Sequence, residues 1–207
     1  MKELDINLND NQFNNFLSSR YAMSARVNVE KLWKYCKKND ASFFIMSLGC
    51  ILNAVNSVPQ LKRRIIDGKA IEHDYLDGVT PIMDEKNEVY IEMLVKAPQE
   101  FDSIFDWHDN IRKLSSDILN GDAESFTLEM EKRDQTNIVN LSCIPWVDFD
   151  MITTCVVDGM AIQPLVTWGK VNDDYEMSVS ITVSHIFVNG RELGHFYENL
   201  QNELDKF

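Results

Sequence analysis

From Tyr175 to His185 the chain alternates without a break, with Tyr, Met, Val, Ile, Val and His at odd positions and Glu, Ser, Ser, Thr and Ser at even ones. Successive side chains of a strand point to opposite faces, so this segment predicts a strand with one apolar, buried face and one polar face. His185 ends it on the apolar parity. Asn189-Gly190 then reads as a turn. Beyond it, Leu193, Phe196, Tyr197, Leu200 and Leu204 make one stripe of a final helix from Arg191 to Phe207. A chain that closes strand, turn, helix needs a helical layer over a sheet. The expected class is α/β of the α+β type, a mixed sheet with helices packed on it.

The upstream pattern supplies the other pieces. Asn28 is placed to cap a helix from Val29 to Lys38, and Ser42 to cap a second from Phe43 to Ser57 that is apolar on nearly every side and so belongs in the core. Ile65 to Lys69 reads as a strand entering an Asp67-Gly68 turn, with a strand partner at Ala70 to Tyr75. Val89 to Val95 reads as strand. Phe101 to Asn120 reads as helix, stopped by Gly121. Ile138 to Ser142, Thr153 to Val157 and Pro164 to Val171 read as short strands, with Pro145-Trp146 in a loop. No repeat or linker appears, and 207 residues suit a single domain, 1–207.

Charge narrows the partners. With 33 acidic against 20 basic side chains, a net charge of −13 opposes the basic stripe that nucleic-acid binding requires. Between Glu72 and Asp109 there are eleven acidic residues and two lysines, just downstream of Lys62-Arg63-Arg64. The longest apolar run, Phe43 to Val58, is interrupted by Ser47, Asn53 and Asn56 and is too short for a membrane span. The opening Met1-Lys2-Glu3 does not read as a secretion signal. Cys36, Cys50, Cys143 and Cys155 form no Cys-x-x-Cys pair, which points to a reducing, cytoplasmic setting.

Among candidate chemical groups, His185 stands apart from His73, His108 and His195, which fall in an acidic turn, an acidic helix and off the stripe of the last helix, and read as solvated. A histidine at the inward end of a strand, before a tight turn, suits a general base with a fixed tautomer. No second histidine or cysteine lies at metal-ligand spacing from it, and the glycines form no phosphate-binding loop.

Four segments together resemble the chloramphenicol acetyltransferases and other CoA-dependent acyltransferases of that fold. Ser184-His185-Ile186-Phe187-Val188-Asn189-Gly190 is similar to the family's His-His-x-x-x-Asp-Gly signature. Asn140-Leu141-Ser142-Cys143-Ile144-Pro145-Trp146-Val147 is similar to its Asn-x-Ser-Ala-x-Pro-Trp-Val segment. Pro164-Leu165-Val166-Thr167-Trp168-Gly169-Lys170 is similar to its Pro-x-x-Thr-x-Gly/Ala-Lys strand, and Asn56 to Lys62 with Asp67-Gly68 to its Asn-x-x-Pro turn. The resemblance implies a two-layer sandwich and a homotrimer with active sites between subunits. It implies direct acetyl transfer from acetyl-CoA to a hydroxyl of chloramphenicol or a similar acceptor, with His185 as base, Ser142 as oxyanion donor and Thr167 orienting a water. Trp146 and Lys170 match positions along the CoA approach.

The departures are as specific. Asn189 stands where the family has an aspartate paired with an N-terminal arginine, and Leu8 to Phe13 hold no arginine. Losing both partners avoids stranding a buried charge. Ser184 replaces the first signature histidine, and Ser42-Phe43-Phe44-Ile45 replaces a Lys-Phe-Tyr-Pro entry, which leaves Lys170 and Lys62-Arg63-Arg64 as candidates for the cofactor's phosphates. Tyr21 aligns roughly with the acceptor pocket. The acceptor itself stays open, as does a trimer that binds ligand after losing catalysis.

Overall fold

The computed structural model describes residues 1–7, 19–126, 136–154 and 163–207. The main sheet has six strands: β2 (Arg20–Asn28), β5 (Asp77–Asp84), β6 (Val89–Val95), β7 (Ile138–Cys143), β8 (Leu165–Val171) and β9 (Glu176–Ser184), in the order β2-β9-β8-β7-β5-β6. It is mixed, because β5, β7 and β8 run parallel while β2, β9 and β6 pair antiparallel with their neighbours. A smaller sheet joins β1 (Lys2–Glu3), β3 (Arg63–Ile66) and β4 (Lys69–Glu72). Among the described residues, four α-helices pack with the sheets: α1 (Glu30–Asn39), α2 (Phe43–Asn56), α3 (Ile104–Asn120) and α4 (Gly190–Leu204).

Strand β9 lies between the edge strand β2 and β8. Its apolar parity, Met177, Val179, Ile181 and Val183, is fully buried. The expectation of a polar face in water is corrected: Ser178, Ser180, Thr182 and Ser184 are buried too. The loop after β7 covers part of that face, with the Ser178 hydroxyl 3.4 Å from Asp148 Oδ1 and Thr154 Oγ1 3.3 Å from Thr182 Oγ1. Alternation reports which side chains share a face, and cannot report what a distant loop lays over it.

Capping decides the helix boundaries. Helix α2 is the expected core helix, with the Ser42 hydroxyl accepting the Ile45 amide at 3.3 Å. Helix α1 starts one residue later than expected, with Asn28 Oδ1 accepting the Glu30 amide at 3.0 Å. Helix α3 starts at Ile104 rather than Phe101 because Ser103 Oγ accepts the Asp106 amide at 3.1 Å. Asp67 and Gly68, with φ of 49° and 75°, form the predicted tight turn of the β3–β4 hairpin.

Three strands went unseen in the sequence: the two-residue β1, β2 and β5. In β2 the alternation is diluted by Ala22, Ser24, Ala25 and Arg26 on an edge strand. In β5 the proline Pro81 argues against a strand, yet it lies beyond the Asp77–Val79 stretch paired with β7, so its missing amide costs no bond on that side. Of the expected strand Thr153 to Val157, Thr153 and Thr154 are not in a strand and the rest lies outside the described residues.

Candidate active site

His185 follows β9 directly and is half-buried. Its ring stacks on Tyr21 of the neighbouring edge strand, with centroids 4.5 Å apart and planes at 30°. Its amide donates to Ser19 O at 2.7 Å, and Ser19 Oγ lies 2.9 Å from Ser184 Oγ. The chain then turns through Ile186 and Phe187, whose ring is buried, and the Phe187 and Val188 amides donate to Ser184 O at 3.3 and 3.2 Å. The expected Asn189-Gly190 turn is corrected. Asn189 has φ −110° and caps α4, sharing a reciprocal capping box with Glu192. The Asn-x-x-Glu spacing was the readable signal for this cap.

Ser142 and Thr167 lie elsewhere on the sheet. Register aligns Ser142 of β7 with Thr167 of β8, Thr167 with Ser180 of β9, and Ser180 with Ser24 of β2. A row of four hydroxyls therefore crosses four strands. Thr167 is 2% exposed, while the Ser24 and Ser180 oxygens are buried without a hydrogen-bond partner among the described residues. Ser180 precedes His185 by five residues. At about 3.3 Å per residue and about 4.8 Å per strand, Ser142 and His185 of one chain are roughly 19 Å apart. One chain does not bring them together.

Trp146 and Lys170 belong to backbone segments that run side by side. The loop carrying Trp146 is tied to β8 by Ile144 N to Trp168 O at 2.8 Å and Lys170 N to Val147 O at 2.9 Å. Trp146 is 68% exposed and Lys170 is exposed as well. An accessible aromatic ring and an exposed cation on adjoining backbone segments are chemically suited to a nucleotide with phosphates.

The other basic candidates are corrected. Arg64 is buried, donating to the carbonyls of Leu61, Arg63, Thr136 and Ile138 at 2.7 to 2.9 Å, and burial lowers its pKa to about 9. Arg63 pairs with Glu72 at 3.0 Å, and Lys62 Nζ donates to Asp74 O at 3.1 Å. This cluster builds structure rather than a phosphate site. Ser42, at the start of α2, gives its amide to His108 Nε2 at 3.0 Å.

Two histidines read as solvated are buried. His108 accepts that amide on Nε2, which places its proton on Nδ1, 2.9 Å from Asp109 Oδ1. His73 lies 3.1 Å from Thr136 Oγ1, and burial, with Arg64 nearby, lowers its pKa to about 4. His195 is exposed, as expected. Burial also pushes the Cys36 thiol up to about 11 and the Cys143 thiol to about 12, and raises that of Cys50, so none of these three is a ready thiolate nucleophile. Cys155 lies outside the described residues. Among the described residues no three His, Cys, Asp or Glu side chains gather to hold a metal, and no helix is long and apolar enough to cross a membrane.

The family model described as chloramphenicol acetyltransferase matches residues 4–201. The chain belongs to the chloramphenicol acetyltransferase family. It is an acyltransferase. Chloramphenicol acetyltransferase 3 of Escherichia coli is 20% identical over 186 residues, which cover 87% of this chain and 84% of that protein. A solved chloramphenicol acetyltransferase superposes with a TM-score of 0.84 at 22% identity, covering 99% of this chain and all of the other. The fold extends to an Azotobacter vinelandii dihydrolipoamide acetyltransferase, with a TM-score of 0.65 at 11% identity over 92% of this chain and 83% of that one. That structure is described as addressing the role of a serine, a histidine and an asparagine four residues beyond it in the mechanism of that enzyme.

Proposed function

We propose that the protein is a CoA-dependent O-acetyltransferase, residues 1–207 acting as one domain, with its active site formed between copies of the chain. The observation that carries this reading is His185, held at the end of β9 by a ring stack and a tied-down backbone yet open enough to meet a substrate. In the proposed reaction His185 takes the proton of the acceptor hydroxyl as its oxygen attacks the thioester carbonyl of acetyl-CoA. Ser142 donates a hydrogen bond to the oxyanion that forms. Collapse of the tetrahedral intermediate breaks the C–S bond, and the proton returns from His185 to the sulfur of CoA. Thr167, in register beside Ser142, orients a water or hydroxyl there.

The separation of roughly 19 Å within one chain means that Ser142 can serve His185 only from a second copy. A homotrimer with three such junctions satisfies both residues without an unpaired surface. Asn189 supports the turn after His185 as an uncharged cap, and the asparagine at the same spacing in the Azotobacter enzyme favours a working site over a decayed one. Trp146 and Lys170 are proposed to receive acetyl-CoA, the ring against the nucleotide and the lysine against a phosphate.

Chloramphenicol is the first acceptor to test, and its acetylation in the cytoplasm would confer antibiotic resistance. A second reading keeps the chemistry and changes the hydroxylated acceptor, and the 20% identity to the Escherichia coli relative favours keeping it in view. The deciding experiment follows release of the CoA thiol from acetyl-CoA with chloramphenicol and a panel of other alcohols. Turnover with chloramphenicol supports the first reading and turnover with another alcohol alone supports the second. CoA binding with no thiol release from any acceptor overturns both.

A further inference from the structure

The five residues joining β9 to α4 carry His185 on no regular element, so its orientation depends on how that turn is held. At the start, Ser19 takes the His185 amide and meets Ser184 through its hydroxyl. At the end, one peptide group is gripped from both sides. The carbonyl of Val188 accepts the Tyr21 hydroxyl at 3.2 Å, and the amide of Asn189, in the same peptide plane, donates to Glu192 Oε2 at 2.8 Å.

We propose that Glu192 is a positioning residue for His185, its carboxylate fixing the 188–189 peptide so that the Tyr21 hydroxyl and, through the Tyr21 ring, the imidazole are held in one orientation. A peptide group is planar and rigid, so fixing its N–H fixes the direction of its C=O. That carbonyl is what the Tyr21 hydroxyl reaches for, while the ring of the same tyrosine lies 4.5 Å from that of His185. The bond from the Asn189 amide to the Glu192 carboxylate is charge-assisted, and such bonds are about twice as strong as neutral ones. The tyrosine is consistent with a nearby carboxylate, since burial and then the charge of Glu192 both raise its pKa. The capping box stabilises α4 as well, but a cap alone needs no tyrosine on the carbonyl side.

This inference rests on His185 being the base, and its test separates the two claims. Glu192→Ala is expected to lower kcat about tenfold or more with the KM for acetyl-CoA within about twofold, measured well below the melting temperature. Glu192→Gln, which still presents an acceptor oxygen, is expected to recover most of that loss. Tyr21→Phe keeps the ring and releases the carbonyl, so it should fall in the same direction, and the Tyr21→Phe/Glu192→Ala pair should fall no further than the worse single variant. In parallel, ¹⁵N–¹H spectra of the His185 side chain should show an altered tautomer ratio in Glu192→Ala and a restored one in Glu192→Gln. If Glu192→Ala keeps wild-type kcat and an unchanged His185 spectrum, the proposal is overturned. Should Glu192→Ala fail to fold, Glu192→Gln and Tyr21→Phe decide it, a wild-type spectrum in Tyr21→Phe counting against it. If the wild-type chain releases no CoA with any acceptor, the acetyltransferase reading falls, and the spectra still decide the positioning claim.

Discussion

His185 and His73 answer the same question in opposite ways. His73 is buried and bonded to Thr136, and burial, with Arg64 nearby, lowers its pKa to about 4. His185 is half-open, with one ring face on Tyr21 and its backbone tied to Ser19. Perturbation marks the residue that the fold encloses, whereas a base must reach a proton that arrives from outside. Access, together with a held orientation, separates the working group from the structural one.

The sharpest way to break this contrast is to remove each ring in turn. His185→Ala is expected to reduce CoA release by about 10³-fold, within the range general-base catalysis supplies, while His73→Gln at pH 7.5 stays within about threefold of wild type. Equal losses in the two variants would dissolve the distinction. Ser142→Ala should cost roughly 10²-fold to 10³-fold in kcat, as removal of an oxyanion donor does. Because Ser142 and His185 are too far apart to cooperate in one chain, mixing unfolded His185→Ala and Ser142→Ala chains and refolding them together should restore roughly a quarter of the wild-type sites, the fraction in which an intact histidine faces an intact serine. No recovery on mixing would mean that the two residues do not share a site across copies.

On the structural side of the comparison, Arg64→Met should destabilise the fold by about 3 kcal/mol in a urea titration, since several buried carbonyls lose their donor at once. The pH effect of His73 is smaller and has a definite sign. Its pKa in the fold, about 4, lies below the 6.5 of the free side chain, so the unfolded chain binds the proton more readily. Its contribution is complete above about pH 6.5, declines as the pH falls, and is lost near pH 4. Urea midpoints measured across that window should fall less steeply in His73→Gln than in wild type. Lys170→Ala should weaken CoA binding severalfold and reduce its salt dependence, the smallest effect of the set.

The fates of two Xaa-Gly pairs explain how far the sequence could be read. Asp67-Gly68 sits between two short alternating segments and turns with positive φ at both residues, as the pair predicts. Asn189-Gly190 has the same appearance, yet a helical stripe and Glu192 follow it, and it caps a helix instead. What lies within a few residues was legible once the competing signals were weighed: the core helix α2, the strand of Val89 to Val95 and the closing β9–α4 unit all stand where periodicity puts them. Long-range facts were not. The burial of Ser178 and Thr182 involves a loop about thirty residues away in sequence, and the burial of Arg64 involves carbonyls at Thr136 and Ile138. The same limit applies to the site. His185 could be singled out from its own strand, but Tyr21 beside it comes from the far edge of the chain, and the distance from Ser142 follows only from strand order.

Gly169 has a consequence for anyone wishing to retune ligand preference. A methyl group on its α-carbon would stand 2.7 Å from Val147 O and 3.0 Å from the ring of Phe149. The loop bearing Trp146 therefore rests on bare backbone, as a keystone rests on its arch. Exchanging the side chains of residues 145 to 147 would change the furniture on a fixed shelf. Adding a side chain at 169 would lift the shelf itself, and would displace Trp146 and Lys170 together without either having been altered.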